Sequence, residues 1–280
     1  MPLTLSPRLG TYECLQLNHG IAISDDGSTL YASTENDVYS WPYANASLDA
    51  SSRRTLVTNM SNTDHTTRTL LLPRQQPGIL IVSRGSDSNE DADAEDIRSG
   101  HSQLRTFNLT ALSSSSDPYD FSDGDVLGWG LRNSVGVAEE PKHGGIWSVE
   151  NSVDELRRNG QDIHHDNPGE ELNFHGFGNG SSGYLDSLGG NYGYPLCYAI
   201  WGTENFPDLG SLQTGDQFPG AETSTLSDES CNSDYIAPRL TFQAHTAPLD
   251  IKFTEDGTEA FVSFHGSCEY SFYFEIGLIL

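Results

Sequence analysis

Four stretches of the chain share one alternation of apolar and polar positions: GIAISDDGSTLYAST from Gly20, LLLPRQQPGILIVSRGS from Leu70, VGVAEEPKHGGIWSVEN from Val135 and PLDIKFTEDGTEAFVSFHGS from Pro248. Each begins with a short apolar run, crosses a polar turn that contains glycine, and returns through a second apolar run ending in small or polar residues. That pattern predicts a β-hairpin in each case. Four hairpins of one design predict the blades of a β-propeller, in which each sheet packs its face on the next and the loops at one end converge on a channel. The hairpins are irregularly spaced because long insertions rich in Ser, Asp and Gly follow the second strand in three of the four. Folds of this kind build their sites on such insertions.

Composition agrees with an all-β reading. Gly (28 of 280 residues) and abundant Asn, Asp and Ser favour short strands joined by turns, and the length suits one domain over residues 1–280. The formal net charge of -26 argues against nucleic acid and anionic membrane, both of which need a basic face. No apolar run approaches the ~20 residues that a membrane helix needs. Among the 14 basic residues only Lys142 and Lys252 are lysines, so recognition of anions falls mainly on arginine, whose planar fork suits carboxylates. Four cysteines and sequons at Asn45, Asn59, Asn108 and Asn179 suit a secreted glycoprotein. No signal-peptide core opens the sequence, so secretion would require a preceding segment. Cys197 and Cys231 bracket a loop rich in Gly, Pro and Asp and are either a disulfide, worth ~3 kcal/mol by loop closure, or two free thiols. Cys14 and Cys268 carry no spacing signature.

The chemistry-bearing residues concentrate at the strand ends. In TDHTTRTLLL, Asp64, His65 and Arg68 precede a buried strand, which places His65 either at a channel as a general base or in a structural role. GLRNSVG puts Arg132 and Asn133 at another strand entrance, suited to an anion plus a carbonyl or simply to a surface loop. WSVENSVDEL and DNPGEELN place Glu150, Asp154, Asp166, Glu170 and Glu171 around a tight turn at Ser152 and Val153. That turn is a candidate calcium site, although carboxylate density proves little in so acidic a chain. GGNYGYP offers glycines and two aromatics that either wall a pocket or form a plain turn. The acidic insertion SDSNEDADAED (86–96) reads as a solvated loop or a calcium loop, and His265 closes the last hairpin in HGS.

In this order, the DH-x-x-x-R segment, RN-x-x-G, EN-x-x-D, EELN and GGNYGYP resemble the soluble quinoprotein glucose/sorbosone dehydrogenases. The likeness is greatest to their fungal branch, the pyrroloquinoline quinone (PQQ)-dependent pyranose dehydrogenases, and it runs from LNHGIAISDDGSTLYAS to AFVSFHGS. The resemblance implies a six-bladed β-propeller with PQQ and calcium at the channel mouth. It further implies oxidation of a pyranose at its anomeric carbon by hydride transfer to PQQ, with electrons passed to an external acceptor such as a cytochrome or quinone. By the same likeness His65 is the general base, oriented by Asp64. Arg132 and Asn133 bind the quinone carbonyl region, with Arg132 stabilising the oxyanion. The carbonyls of Ser152 and Val153 hold the PQQ calcium, Glu171 and Tyr192 correspond to a second calcium site of some relatives, and His265 is a cofactor contact. The three PQQ carboxylates require gathered cations, for which Arg68, Arg84 and Arg132 are the candidates.

Only four hairpins are readable, so about four to five of six blades are expected, with the N- and C-terminal blades missing or misjoined. Relatives continue from HGS into W-N-R, whereas CEYSFYFEIGLIL follows here. Two other readings stand beside the dehydrogenase. One is a non-catalytic propeller that binds sugar or a partner. The other is a calcium-dependent propeller hydrolase of lactonase type, which would bind its metal through side chains on the channel axis.

Overall fold

The computed structural model describes residues 15–44, 47–48, 50–113, 115–177, 189–220, 225–266 and 276–279. Cys14, Cys268, Asn45 and Asn179 lie outside these residues. All four predicted hairpins form, as Ile21–Ile23 with Thr29–Ser33, Leu70–Leu71 with Ile79–Arg84, Ser134–Glu139 with Gly145–Glu150, and Pro248–Phe253 with Glu259–Phe264.

Each hairpin belongs to its own sheet. The first continues through Val38–Ala44 and Arg54–Thr58 to a short parallel strand, Tyr119–Asp120. The second adds Gln103–Asn108, Asp125–Trp129 and a parallel Gly190–Asn191. The third adds Glu170–Phe177 and Leu240–Phe242, and the fourth adds Ile276–Ile279. Two minor ladders and one helix lie in connections within the third sheet: Arg157–Arg158 with Gln161–Asp162 before Glu170–Phe177, and Cys197–Ala199 with Gln217–Pro219 and the helix Asp228–Asp234 before Leu240–Phe242. Among the described residues no helix is long and apolar enough to cross a membrane.

The core lies between successive sheets, which follows from the two-residue side-chain period of a strand. In Ile79–Arg84, Leu80 and Val82 join Val38, Leu56, Val57 and Phe107 between the first and second sheets, while Ile81 faces the other way, towards Val137 and Ile146 of the third. The third sheet repeats the scheme, sending Ala138 and Val149 to Ile251, Ala260 and Val262 of the fourth. Sheets buried on both faces need near-continuous apolar runs such as ILIV, and these are the runs found in the sequence.

The first and fourth hairpin turns are built alike. Gly27 and Gly257 both have φ +68°, the left-handed region that glycine enters without strain. In each turn the preceding aspartate accepts from the hydroxyl two residues before it and from the amide and hydroxyl two residues after it: Ser24 and Ser28 for Asp26, Thr254 and Thr258 for Asp256. The sequence repeat is therefore also a repeat of local hydrogen bonding. Cys197 and Cys231 form a disulfide that fastens the helix to the strand Cys197–Ala199. Arg158 reinforces the same region, pairing with Asp228 at 2.7 Å and lying over Phe206 and Phe218.

Candidate active site

The strand ends opposite the Gly27 and Gly257 turns bring together segments far apart in sequence. His65 lies on the loop that enters the second sheet. Its Nδ1 is 2.8 Å from Ser86 Oγ, and that hydroxyl donates to the Ser88 carbonyl at 2.7 Å. A hydroxyl has one hydrogen, so Ser86 accepts from the ring and Nδ1 carries the proton. Nε2 is then the basic lone pair, and it has no partner among the described residues. Burial, followed by the nearby Arg132 charge, lowers the His65 pKa and keeps the ring neutral.

Asp64 does not orient this ring. It is exposed, and the Nδ1 proton goes to Ser86 instead. The Asp64 charge acts only at a distance, favouring the imidazolium.

Gly85 packs between His65 and Asn133. A Cβ there would stand 2.6 Å from His65 Cβ and 2.9 Å from Asn133 Oδ1, so only glycine lets the two residues approach. Asn133 itself is anchored by its amide, which donates to Glu150, and by its carbonyl, which accepts from the Asn151 amide at 3.1 Å.

Arg132 is 6% exposed and each of its three nitrogens has a hydrogen-bond partner. Nε and one terminal nitrogen take the carbonyl and side-chain oxygen of Asn89, at 3.0 and 2.8 Å. The other terminal nitrogen donates to the Ser152 carbonyl at 2.7 Å and to the Asn151 carbonyl at 3.3 Å. Arg132 thus pins the Ser152–Val153 turn and the acidic insertion to one point. The insertion is not a loose solvated loop. Its Asp91 is buried, accepting from the Asp87 and Asp93 amides and from His101, while Asn89 reaches the arginine. Tyr194 of GGNYGYP holds the same loop, donating to the Asn89 carbonyl at 3.0 Å, and burial raises its phenol pKa to about 12.

Arg68 and Arg84, expected to face an anionic ligand, stand behind the His65 loop. Arg68 is fully buried and donates to the carbonyls of His65, Thr67 and Met60, and burial lowers its pKa to about 9. Arg84 donates to Asn62 Oδ1 and to the Ser61 carbonyl at 2.9 and 3.0 Å, with its guanidinium over Phe121. Both shape the loop that presents His65. The reason is local: backbone turning back at a strand entrance exposes carbonyls inward, and a buried guanidinium satisfies several at once.

Three buried carboxylates lie beneath the turn. Glu150 and Glu171 are register partners on one face of the third sheet, and Glu170 takes the other face. Burial raises their pKa values, to about 8 for Glu150 and about 7 for Glu170 and Glu171. Glu171 accepts from Asn173 Nδ2 at 2.9 Å. The remaining Asn173 oxygen and the hydroxyl of Thr241, the register partner of Glu171, are buried with no hydrogen-bond partner among the described residues. Tyr192 is committed elsewhere: its hydroxyl donates to the Phe174 carbonyl at 2.6 Å and its own carbonyl accepts from Gln217 at 2.8 Å.

His245 and His265 complete this end. His245 Nδ1 is 3.1 Å from Asp154 Oδ1, and Nε2 meets the His164 carbonyl at 2.5 Å. Burial alone would lower its pKa, but these bonds and the Glu170 charge outweigh it and the net direction is up. His265 is exposed, its amide bonded to the Ala247 carbonyl at 2.9 Å. Sequence reasoning missed Ser86, Asn89 and His245 as members of the site. None stands in a distinctive local pattern, and their partners are 21, 43 and 91 residues away.

A sequence model described as TrAA12-like matches residues 4–272. The chain is 56% identical over 256 residues to a pyrroloquinoline quinone-dependent sugar dehydrogenase of Hypocrea jecorina (strain QM6a), a match covering 90% of this chain and 59% of that protein. It is similar, with a TM-score of 0.89 and 53% identity, to the calcium structure of carbohydrate-active enzyme family AA12 from Trichoderma reesei, covering 94% of this chain and 66% of that one. The holo form of the pyranose dehydrogenase PQQ domain from Coprinopsis cinerea follows at a TM-score of 0.82 and 37% identity, covering 91% of this chain and 62% of that one.

Proposed function

The chain belongs to the TrAA12-like family, and we propose on that premise that it carries the catalytic face of a PQQ- and calcium-dependent oxidoreductase. The substrate is a pyranose sugar, oxidised at its anomeric carbon, and the electrons go to an external acceptor, a cytochrome or a quinone. Because the chain spans 59% of the Hypocrea jecorina relative, this reading concerns the face described above. The four sheets are read as successive blades of a six-bladed β-propeller in one domain. The Cys197–Cys231 disulfide and the exposed sequon asparagines Asn59 and Asn108 support a secreted protein.

The residues fit both groups. At the Ser152–Val153 turn, the Val153 carbonyl accepts no hydrogen bond among the described residues. The Ser152 carbonyl keeps a second lone pair beside Arg132, and Glu170 and Asp154 supply negative charge. Deeper in the sheet, Glu171 with the orphaned oxygens of Asn173 and Thr241 forms the hard, all-oxygen donor set that suits a second calcium. In that set the amide and hydroxyl oxygens take the place expected of Tyr192. For the quinone, Gly85 lets His65 and Asn133 stand close together at one strand-end entrance. The basic side chains at that end are Arg132, His245 and exposed His265.

PQQ bound there would supply the two-electron acceptor for the anomeric hydride, with calcium as the Lewis acid on it. His65 Nε2 takes the proton of the anomeric hydroxyl as the carbon–oxygen double bond forms. The imidazolium that results is stabilised by the charges of Asp64 and Asp154, both of which favour it. Ser86 keeps the ring in the one tautomer that can accept. The pose of His65, with Nδ1 spent and Nε2 open, carries this reading.

The test is sugar-dependent dye reduction by the protein loaded with PQQ and calcium, followed across pH. Since burial and Arg132 lower the His65 pKa, the base stays neutral below pH ~6.5, the ordinary histidine value. The acid limb of kcat/KM should therefore titrate below that value. No sugar-dependent reduction, or an acid limb well above pH ~6.5, contradicts the assignment.

A further inference from the structure

Glu170 is 4% exposed and spends both carboxylate oxygens on backbone amides of two separate loops. Oε2 accepts from Ser152 at 2.7 Å and Oε1 from Ala247 at 3.2 Å. The first amide belongs to the turn that ends the third sheet's hairpin, and the second to the loop leading into the fourth sheet. Two further bonds run between the same loops: Asn151 Nδ2 to the Pro248 carbonyl at 2.7 Å and His245 to Asp154 at 3.1 Å.

Peptide planarity gives this bridge a directional consequence. The Ser152 N–H and the Asn151 carbonyl share one plane and point in opposite directions, so holding the amide on Glu170 turns the Asn151 carbonyl away from it. The Asn151 and Ser152 carbonyls then converge on one nitrogen of Arg132, at 3.3 and 2.7 Å. The turn is gripped from two sides, its amide by an anion and its carbonyls by a cation.

We propose that Glu170 is a positioning residue for the cation site at the Ser152–Val153 turn, fixing the Asn151–Ser152 peptide plane that opens the turn and tying it to the Ala247 loop. This rests on the calcium reading above. A carboxylate is required because both partners are donors. Glutamine has the same shape but must turn its NH2 towards one of the two amides, losing that bond and opposing donor to donor. Residues that orient a metal's ligands typically alter its affinity 10–100-fold when changed.

The experiment is calorimetric titration of the calcium-stripped chain with calcium, for wild type, Glu170→Gln and Glu139→Gln, with thermal unfolding measured with and without the ion. Glu139 is the matched control. It too accepts two backbone amides, of Arg74 and Gln75 at 2.6 and 2.9 Å, but at the opposite end of the same sheet. The expected result is calcium affinity about 10–100-fold weaker in Glu170→Gln and unchanged in Glu139→Gln, with a correspondingly smaller calcium-induced rise in Tm. If Glu170→Gln does not fold, Glu170→Asp keeps the charge but is too short to reach both amides, and the same loss is expected. Affinity within about twofold of wild type in a folded Glu170 variant, or an equal loss in Glu139→Gln, would overturn the proposal. Absence of any calcium binding by the wild-type protein would overturn the calcium reading, and this inference with it.

Discussion

Replacing His65 by alanine is expected to lower kcat for pyranose oxidation roughly 10²–10⁴-fold, the usual worth of a positioned general base. PQQ and calcium should still bind, because His65 supports neither the Ser152–Val153 turn nor Arg132. Among the described residues its ring hydrogen-bonds only Ser86, and the carbonyl that Arg68 uses belongs to the backbone and survives the substitution. The loop is held from behind by Arg68, Arg84 and Asn62, whose Nδ2 donates to the Gly85 carbonyl at 2.7 Å. Steady-state kinetics on the loaded variant, with the quinone spectrum as evidence of occupancy, measure the two effects separately. Wild-type turnover in His65→Ala would remove the histidine from the mechanism. Ser86→Ala should show a milder version of the same loss, since it removes the acceptor that fixes the tautomer and leaves Nε2 in place.

Replacing Arg132 by alanine is expected to lose more, because one side chain serves three structures. Its removal leaves the Asn151 and Ser152 carbonyls without this donor, leaves the Asn89 carbonyl to Tyr194 alone, removes one of the ties between the acidic insertion and the turn, and leaves Asp154 without the cation 4.0 Å away. Stripping a buried charged partner from its acceptors typically costs 2–5 kcal/mol. Both cofactor retention and turnover should fall, with kcat/KM down about 10²–10³-fold or more where a preorganised positive charge is lost. Lysine should rescue little, since a single ammonium cannot span acceptors on both sides of the site. The check is the concentration of PQQ and calcium needed for half-maximal activity, measured alongside kcat. Normal cofactor retention in Arg132→Ala would show that the turn holds its shape without the arginine.

The repeat was the most legible part of the chain. Apolar period and glycine turns are local properties, and all four hairpins appear where ILIV, GIWSV and their counterparts stand. The position of His65, Arg132 and Asn133 at strand entrances was also readable, because the same period reveals the strand starts. The direction in which a strand-end arginine points was not readable. Arg68 and Arg84 share with Arg132 a position at a strand end, yet the first two turn inward onto carbonyls of their own loop. Only the course of the backbone around them decides this. Asp64 shows the same limit at shorter range: adjacency to His65 suggests an orienting bond, but neighbours in an irregular loop diverge, and Ser86 from 21 residues away accepts the Nδ1 hydrogen bond. The acidic insertion was read by its charge, whereas its function in the fold depends on a neutral residue, Asn89. Glu170 and Glu171 are adjacent and chemically identical, and the alternation of the strand sends one to the turn and the other into the sheet.

The central claim, that this face holds PQQ through calcium and passes a sugar's hydride to it, is tested most directly by absorbance. The metal-stripped protein is titrated with PQQ in the presence of calcium, and a pyranose is then added under exclusion of oxygen. The account predicts saturable binding that requires calcium, followed by sugar-dependent bleaching of the quinone spectrum. Saturable binding with no bleaching by any pyranose, or no calcium-dependent binding by the folded protein, would contradict it.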